Sequence, residues 1–194
     1  MVETVVIAAP GPSLTFKQVE LVRQNRTKLI SLTIGDVGRA MFTDANILYH
    51  CDKKWWDYYQ GCPDFEGLKY SLEQTDYPEI IKLERSERQD GFDLQYPKIV
   101  TGYNSGYQAI NLSLYFKPKR IILIGYDLKE GPNGEHNIIG DHPKDIKRPC
   151  NFKLFGDKIK TLVPVLDSMG ITVYNCSIET SLDCFPRKNL EDVL

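Results

Sequence analysis

Two of the chain's three histidines, His136 and His142, fall within residues 131–149, together with Asp141, Lys144, Lys147 and Arg148. Imidazole is the side chain that gains and loses a proton near neutral pH. A long stretch with glycine and proline breakers and no periodicity of its own reads as a functional loop. It follows an apolar run, Ile121-Ile122-Leu123-Ile124, that stops at Gly125-Tyr126-Asp127 and so ends on a carboxylate. Two polar turns, Gly11-Pro12-Ser13-Leu14 and Asn104-Ser105-Gly106, each open a helical pattern. A helix start aims backbone N–H groups and a favourable dipole at an anion. The combination suits holding a phosphorylated molecule and moving a proton beside it. The plain alternatives are turns stiffened by proline, histidines hydrogen-bonded within a loop, and solvated basic clusters at residues 117–120 and 144–148. The first turn is not a dinucleotide fingerprint, because G-x-G-x-x-G is absent, nor a P-loop, because no Gly-Lys-Ser/Thr follows.

The elements that must position these residues alternate. Val5-Val6-Ile7-Ala8-Ala9 predicts a buried first strand, and Phe16, Val19, Leu21 and Val22 fall at helical spacing behind it, with Ser13 or Thr15 as N-cap. Residues 28–34 predict a second strand ending near Asp36, and residues 47–52 a third ending at Asp52. Trp55, Trp56, Tyr58 and Tyr59 follow at once, either as a pocket floor for a planar group or as core. Residues 63–91 read as a polar insertion or small antiparallel patch, with short strands at 68–72 and 80–83. The unit at residues 101–129 is turn, helix, basic turn and buried strand. Residues 152–169 predict a last helix, kinked or split at Pro164. Ile171-Thr172-Val173-Tyr174 is a last strand. Such alternation predicts one α/β, Rossmann-like domain over residues 1–194, its mostly parallel sheet covered by helices on both faces. Ligands then sit outside the carboxyl ends of the strands, with residues 131–149 as a lid.

Bulk properties narrow the function classes. With 24 basic and 26 acidic residues the net charge is −2, so no overall field draws nucleic acid or anionic membrane. Five cysteines, Cys51, Cys62, Cys150, Cys176 and Cys184, show no C-x-x-C spacing, which argues against a zinc knuckle or disulfide framework. No run reaches the roughly 20 apolar residues of a membrane helix, and no signal pattern opens the chain. A reduced, cytoplasmic protein is the expectation.

Gly11-Pro12-Ser13-Leu14, Asn104-Ser105-Gly106 and Gly125-Tyr126-Asp127 together resemble the sialyltransferase-like Rossmann superfamily. That group includes bacterial lipooligosaccharide sialyltransferases and archaeal hydroxymethyl-dihydropterin pyrophosphokinase-like proteins. The chain is also similar to uncharacterised phage and prophage proteins, in Cys51-Asp52 with Trp55-Trp56 behind it, in Asp141-His142-Pro143, and in the Cys184-Phe185-Pro186-Arg187 tail. The resemblance implies that Gly11, Pro12, Ser13, Asn104, Ser105 and Gly106 contact the phosphate and sugar of a CMP-type donor. It implies a base contact at Asp52, where the family has asparagine, and Asp127 lining the crevice. His136 or His142 becomes the general base. Ala9 stands where the family has its first glycine.

The expected function is therefore a nucleotide-binding transferase, glycosyltransferase-like, using a nucleotide-activated donor in the cytoplasm (of the host, if phage-encoded). A non-catalytic nucleotide- or metabolite-binding phage protein is the alternative from another class. A Mg²⁺-dependent pyrophosphokinase-like transfer, with Asp36, Asp52 and Asp127 as ligands, is the third. The expected partner is a nucleotide-linked small molecule, with no membrane partner, nucleic acid disfavoured but left open, and homo-oligomer formation left open.

Overall fold

The computed structural model describes residues 3–147 and 149–194, so Arg148 lies outside the described residues. The principal strands are β1 (Thr4–Ala8), β2 (Ile30–Ile34), β3 (Ile47–His50), β4 (Leu68–Ser71), β5 (Ile80–Lys82), β8 (Arg120–Ile124) and β9 (Thr172–Asn175). They form one sheet in the order β5-β4-β3-β2-β1-β8-β9, and every pairing is parallel. Two short strands, β6 (Glu84–Arg85) and β7 (Lys98–Ile99), pair with each other apart from it.

Alternation along the strands assigns the faces. Val5 and Ile7 of β1 point to the side covered by α4 (Ser105–Ser113), α5 (Phe152–Lys160) and α6 (Val163–Ser168). Val6 and Ala8 point to α1 (Phe16–Gln24), α2 (Asp36–Ala40) and α3 (Lys53–Tyr58). Both faces are thus buried, as the near-continuous apolar runs of the central strands require. This is the α/β Rossmann-like fold read from the sequence.

Local signals explain where the elements start. Thr15, rather than Ser13, caps α1: its side chain accepts from the Gln18 amide at 3.2 Å, and the Gln18 side chain returns to the Thr15 amide. Pro164 sits in the first turn of α6, where its missing N–H costs nothing, and so divides the last helical stretch in two. Among the described residues, no helix is long and apolar enough to cross a membrane.

The stretch at residues 63–91 differs from expectation. Its strands β4 and β5 extend the main sheet in parallel, with Tyr49 opposite Tyr70 and Tyr70 opposite Ile81. Parallel neighbours ordinarily need a crossover of a dozen or more residues. Here residues 72–79 alone join β4 to β5, which is why the sequence reads as an antiparallel patch. At the opposite edge, the tail lies along β9: the Asn175 amide donates to the Pro186 carbonyl at 2.9 Å, and Arg187 forms an isolated parallel bridge with Asn175.

Candidate functional site

The sheet order reverses between β1 and β8, and a cavity of about 230 Å³ opens at the carboxyl ends of these two strands. Close approach of the two chain turns shapes its floor. The Ala9 amide donates to the Ile124 carbonyl and the Gly11 amide to the Gly125 carbonyl, both at 2.9 Å. A Cβ on Gly11 would stand 2.3 Å from that carbonyl oxygen and 2.5 Å from the Asp127 carboxylate. Gly125 has φ +67°, and a Cβ there would meet the Ala9 oxygen at 2.1 Å. These two glycines are fixed by backbone contact.

Gly11, Pro12 and Asp127 line the cavity, with Ser13 just beyond. Asp127 is almost fully buried and accepts from Ser13 twice, from the amide at 2.7 Å and from the hydroxyl at 2.8 Å. Burial pushes its carboxyl above the ordinary value, and the two Ser13 hydrogen bonds oppose that rise. The Gly11 amide is spent on Gly125, and the Leu14 amide on the Gly11 carbonyl at 3.0 Å. Pro10 and Pro12 have no N–H. In this structure the amides of Gly11, Ser13 and Leu14 are each paired inside the fold, while Gly11 and Pro12 still line the cavity. Asp127 serves there as a clasp between β1 and β8.

The second turn is different. Asn104 caps α4, its Oδ1 accepting from the Tyr107 amide at 2.8 Å and its Nδ2 donating to the Gly102 carbonyl at 3.0 Å. The Ser105 hydroxyl reaches Cys51 Sγ at 3.4 Å. The amides of Ser105 and Gly106 have no acceptor among the described residues, and both residues line the cavity. They are the orphan donors of a helix start. Tyr126 also lines it, but its buried hydroxyl is committed to the Gly106 carbonyl at 3.0 Å.

Residues 136–147 contribute to the cavity wall beside these turns. The Ile138 amide donates to the Pro10 carbonyl at 2.9 Å, and Ile138 and Ile146 pack on the core. All three histidines line the cavity. His136 has Nε2 3.2 Å from Glu130 Oε1 and meets the Phe152 ring edge-on. His142 has Nδ1 3.2 Å from Oδ2 of Asp36, a carboxylate that also accepts from Arg39 Nε and Asn137 Nδ2, each at 3.0 Å. Among the described residues, the cavity-lining lysines Lys129 and Lys147 are paired with Glu179 and Asp141.

Asp36, Asn137 and His50 are site residues that the motif reading did not select. Asp36 had been considered only as a metal ligand, and the one available signal was its place directly after a strand. His50, at the end of β3, stacks on Trp55 at 4.4 Å, and its Nδ1 accepts from the Asp52 amide at 3.2 Å. Burial, with repulsion from nearby His142 adding to it, pushes the His50 imidazole down to about 3.

Asp52 is not among the cavity-lining residues: it precedes α3 as its N-cap and lies beside Cys51. Trp55 and Trp56 are buried in the core, and Tyr58 is exposed, so the aromatic run does not floor the cavity. Asp36 and Asp127 both line the cavity and Asp52 does not, and among the described residues the three are not grouped with ligand atoms close enough to share one ion. Among the described residues, His50, Cys51 and Asp52 do bring potential ligand atoms within 4.8 Å of one another. There His50 Nδ1 already accepts a hydrogen bond, and burial, followed by the Asp52 charge, pushes the Cys51 thiol up to about 12.

No family model matches the chain, and no curated protein matches it in sequence. Among solved structures it is similar to the MAf glycosyltransferase from Magnetospirillum magneticum AMB-1, with a TM-score of 0.65 and 11% identity over 100% of this chain. The chain spans 34% of that protein's length. At this identity the likeness is one of architecture: the chain shares its parallel, helix-covered sheet with part of a glycosyltransferase.

Proposed function

We propose that the chain is a transferase acting on a nucleotide-activated donor, most simply a glycosyltransferase-like enzyme, with a loop histidine as proton acceptor. One observation carries this reading: Ser105 and Gly106, whose amides have no acceptor among the described residues, line the same cavity as His136 and His142 at the switch point of the sheet. The donor phosphate would rest on the start of α4, where the helix dipole favours negative charge. The apolar wall of Leu128, Phe152 and Phe155 would take the base or sugar. The fold shared with a glycosyltransferase is compatible with this chemistry. The resemblance of the three turn motifs extends it to the sialyltransferase-like superfamily, to a CMP-type donor, and to a phage-encoded enzyme in the host cytoplasm.

Thermal unfolding with CMP, UDP or GDP tests the reading. One nucleotide at about 100 times its Kd adds about 2.7 kcal/mol, which for a chain of this size raises Tm by roughly 5–10 °C. The Gly106→Pro variant, which removes one of the two amides, should lose most of that shift. Binding without transfer to any sugar acceptor would support a nucleotide-binding protein instead. No shift with any nucleotide would overturn the proposal.

A further inference from the structure

His142 is held by a carboxylate that donor binding does not require. Asp36 is 2% exposed, at the end of β2, and the turn before it needs Gly35 at φ +52°, where a Cβ would come within 3.1 Å of His50. Arg39 Nε donates to one carboxylate oxygen and Asn137 Nδ2 to the other. Engaged by donors on both oxygens, the carboxylate presents itself as an acceptor. His142 Nδ1 faces Oδ2 at 3.2 Å, buried, off the line of a good hydrogen bond, and with no other partner among the described residues. A lone pair on that nitrogen would oppose the carboxylate, whereas an N–H would be attracted to it.

We infer that Asp36 is the positioning residue of His142: it holds the ring with its proton on Nδ1 and leaves Nε2 as the proton acceptor. This rests on the transfer reading for its purpose. In that reaction the acceptor hydroxyl oxygen bonds to the donor carbon and its proton passes to Nε2 of His142. The bond to the nucleotide phosphate breaks, and its electron pair leaves on the phosphate oxygen. The imidazolium so formed faces a buried carboxylate, the arrangement by which an acid steadies a catalytic histidine. His136 lacks this support, because its neighbour Glu130 is an exposed surface acid. His50 is arranged the opposite way, since its Nδ1 accepts from the Asp52 amide and its proton belongs on Nε2.

Long-range ¹H–¹⁵N correlation spectra of the ¹⁵N-labelled full chain, without nucleotide, read each tautomer directly. The His142 signals are identified by their loss in His142→Gln. Wild type should show His142 as the Nδ1–H form and His50 as the Nε2–H form. In Asp36→Asn the His142 signature should shift toward Nε2–H, while in Asn137→Ala, which keeps the carboxylate, it should persist. An Nε2–H form of His142 in wild type overturns the inference even if no variant folds. So does a signature unchanged in Asp36→Asn, or lost equally in Asn137→Ala. Because no ligand is present, these results are independent of whether any nucleotide shifts Tm.

Discussion

His50 shows how a single side chain can be shaped by burial rather than by chemistry. It was the histidine outside the loop and attracted no role, yet it lies on the cavity wall, stacked on an indole. Its imidazole is pushed down to about 3 from an ordinary value of 6.5, so the fold refuses a proton that the unfolded chain accepts. The sign follows: its contribution is intact above about pH 6.5 and is lost as pH falls toward 3. By about pH 5 this one group costs about 2 kcal/mol of stability. Asn at this position keeps an acceptor for the Asp52 amide without titrating. His50→Asn should therefore show a shallower fall of Tm between pH 6.5 and 4 than wild type, measured by calorimetry in matched buffers. Equal slopes for the two proteins would mean that the histidine titrates freely in the folded state.

Between elements, Ser13 and Asp127 read from the sequence as part of a site, and in the structure their two hydrogen bonds also join β1 to β8. The motif was legible, because Gly, Pro, Ser and a strand-ending Asp are what such a turn requires. Which partner consumed the donors was not, because the two residues meet only once the strands are paired. Asp127→Ala leaves the half-buried Ser13 amide without an acceptor, which costs about 1 kcal/mol. Asp127→Asn keeps an oxygen for that amide and offers an N–H to the hydroxyl, so it should unfold within about 0.5 kcal/mol of wild type. Urea titration of the two variants separates a joint from a purely catalytic acid, for which both would be equally stable. The second turn was read in the same way and keeps its donors, because Asn104 caps α4 with its side chain and leaves the Ser105 and Gly106 amides to the cavity.

At the scale of the whole chain, the central strands were legible from their apolar runs, and the position of the crevice from strands that stop at glycine and an acid. The rest required pairing information. A short link between β4 and β5 hid two parallel strands, and the convergence of Asp36 with His142 joins residues far apart in sequence. The sheet's two edges are managed differently. On one side β5 is only three residues long, and on the other the Cys184-Phe185-Pro186-Arg187 tail covers β9, a segment that carried only a resemblance when read alone.

The cavity itself, about 230 Å³ beneath residues 131–149, is smaller than the roughly 300–1,000 Å³ typical of ligand sites. Under the proposed function a nucleotide-linked donor needs more room than this, and the Asn137–Asp36 and Ile138–Pro10 hydrogen bonds tie the loop to the cavity wall. On that proposal, admission of the donor is expected to wait for these two bonds to release. In stopped-flow mixing the observed association rate should level off at high nucleotide concentration, at the opening rate of the loop, and Asn137→Ala should raise that plateau. A rate that climbs linearly to the highest concentration would mean that the doorway stands open.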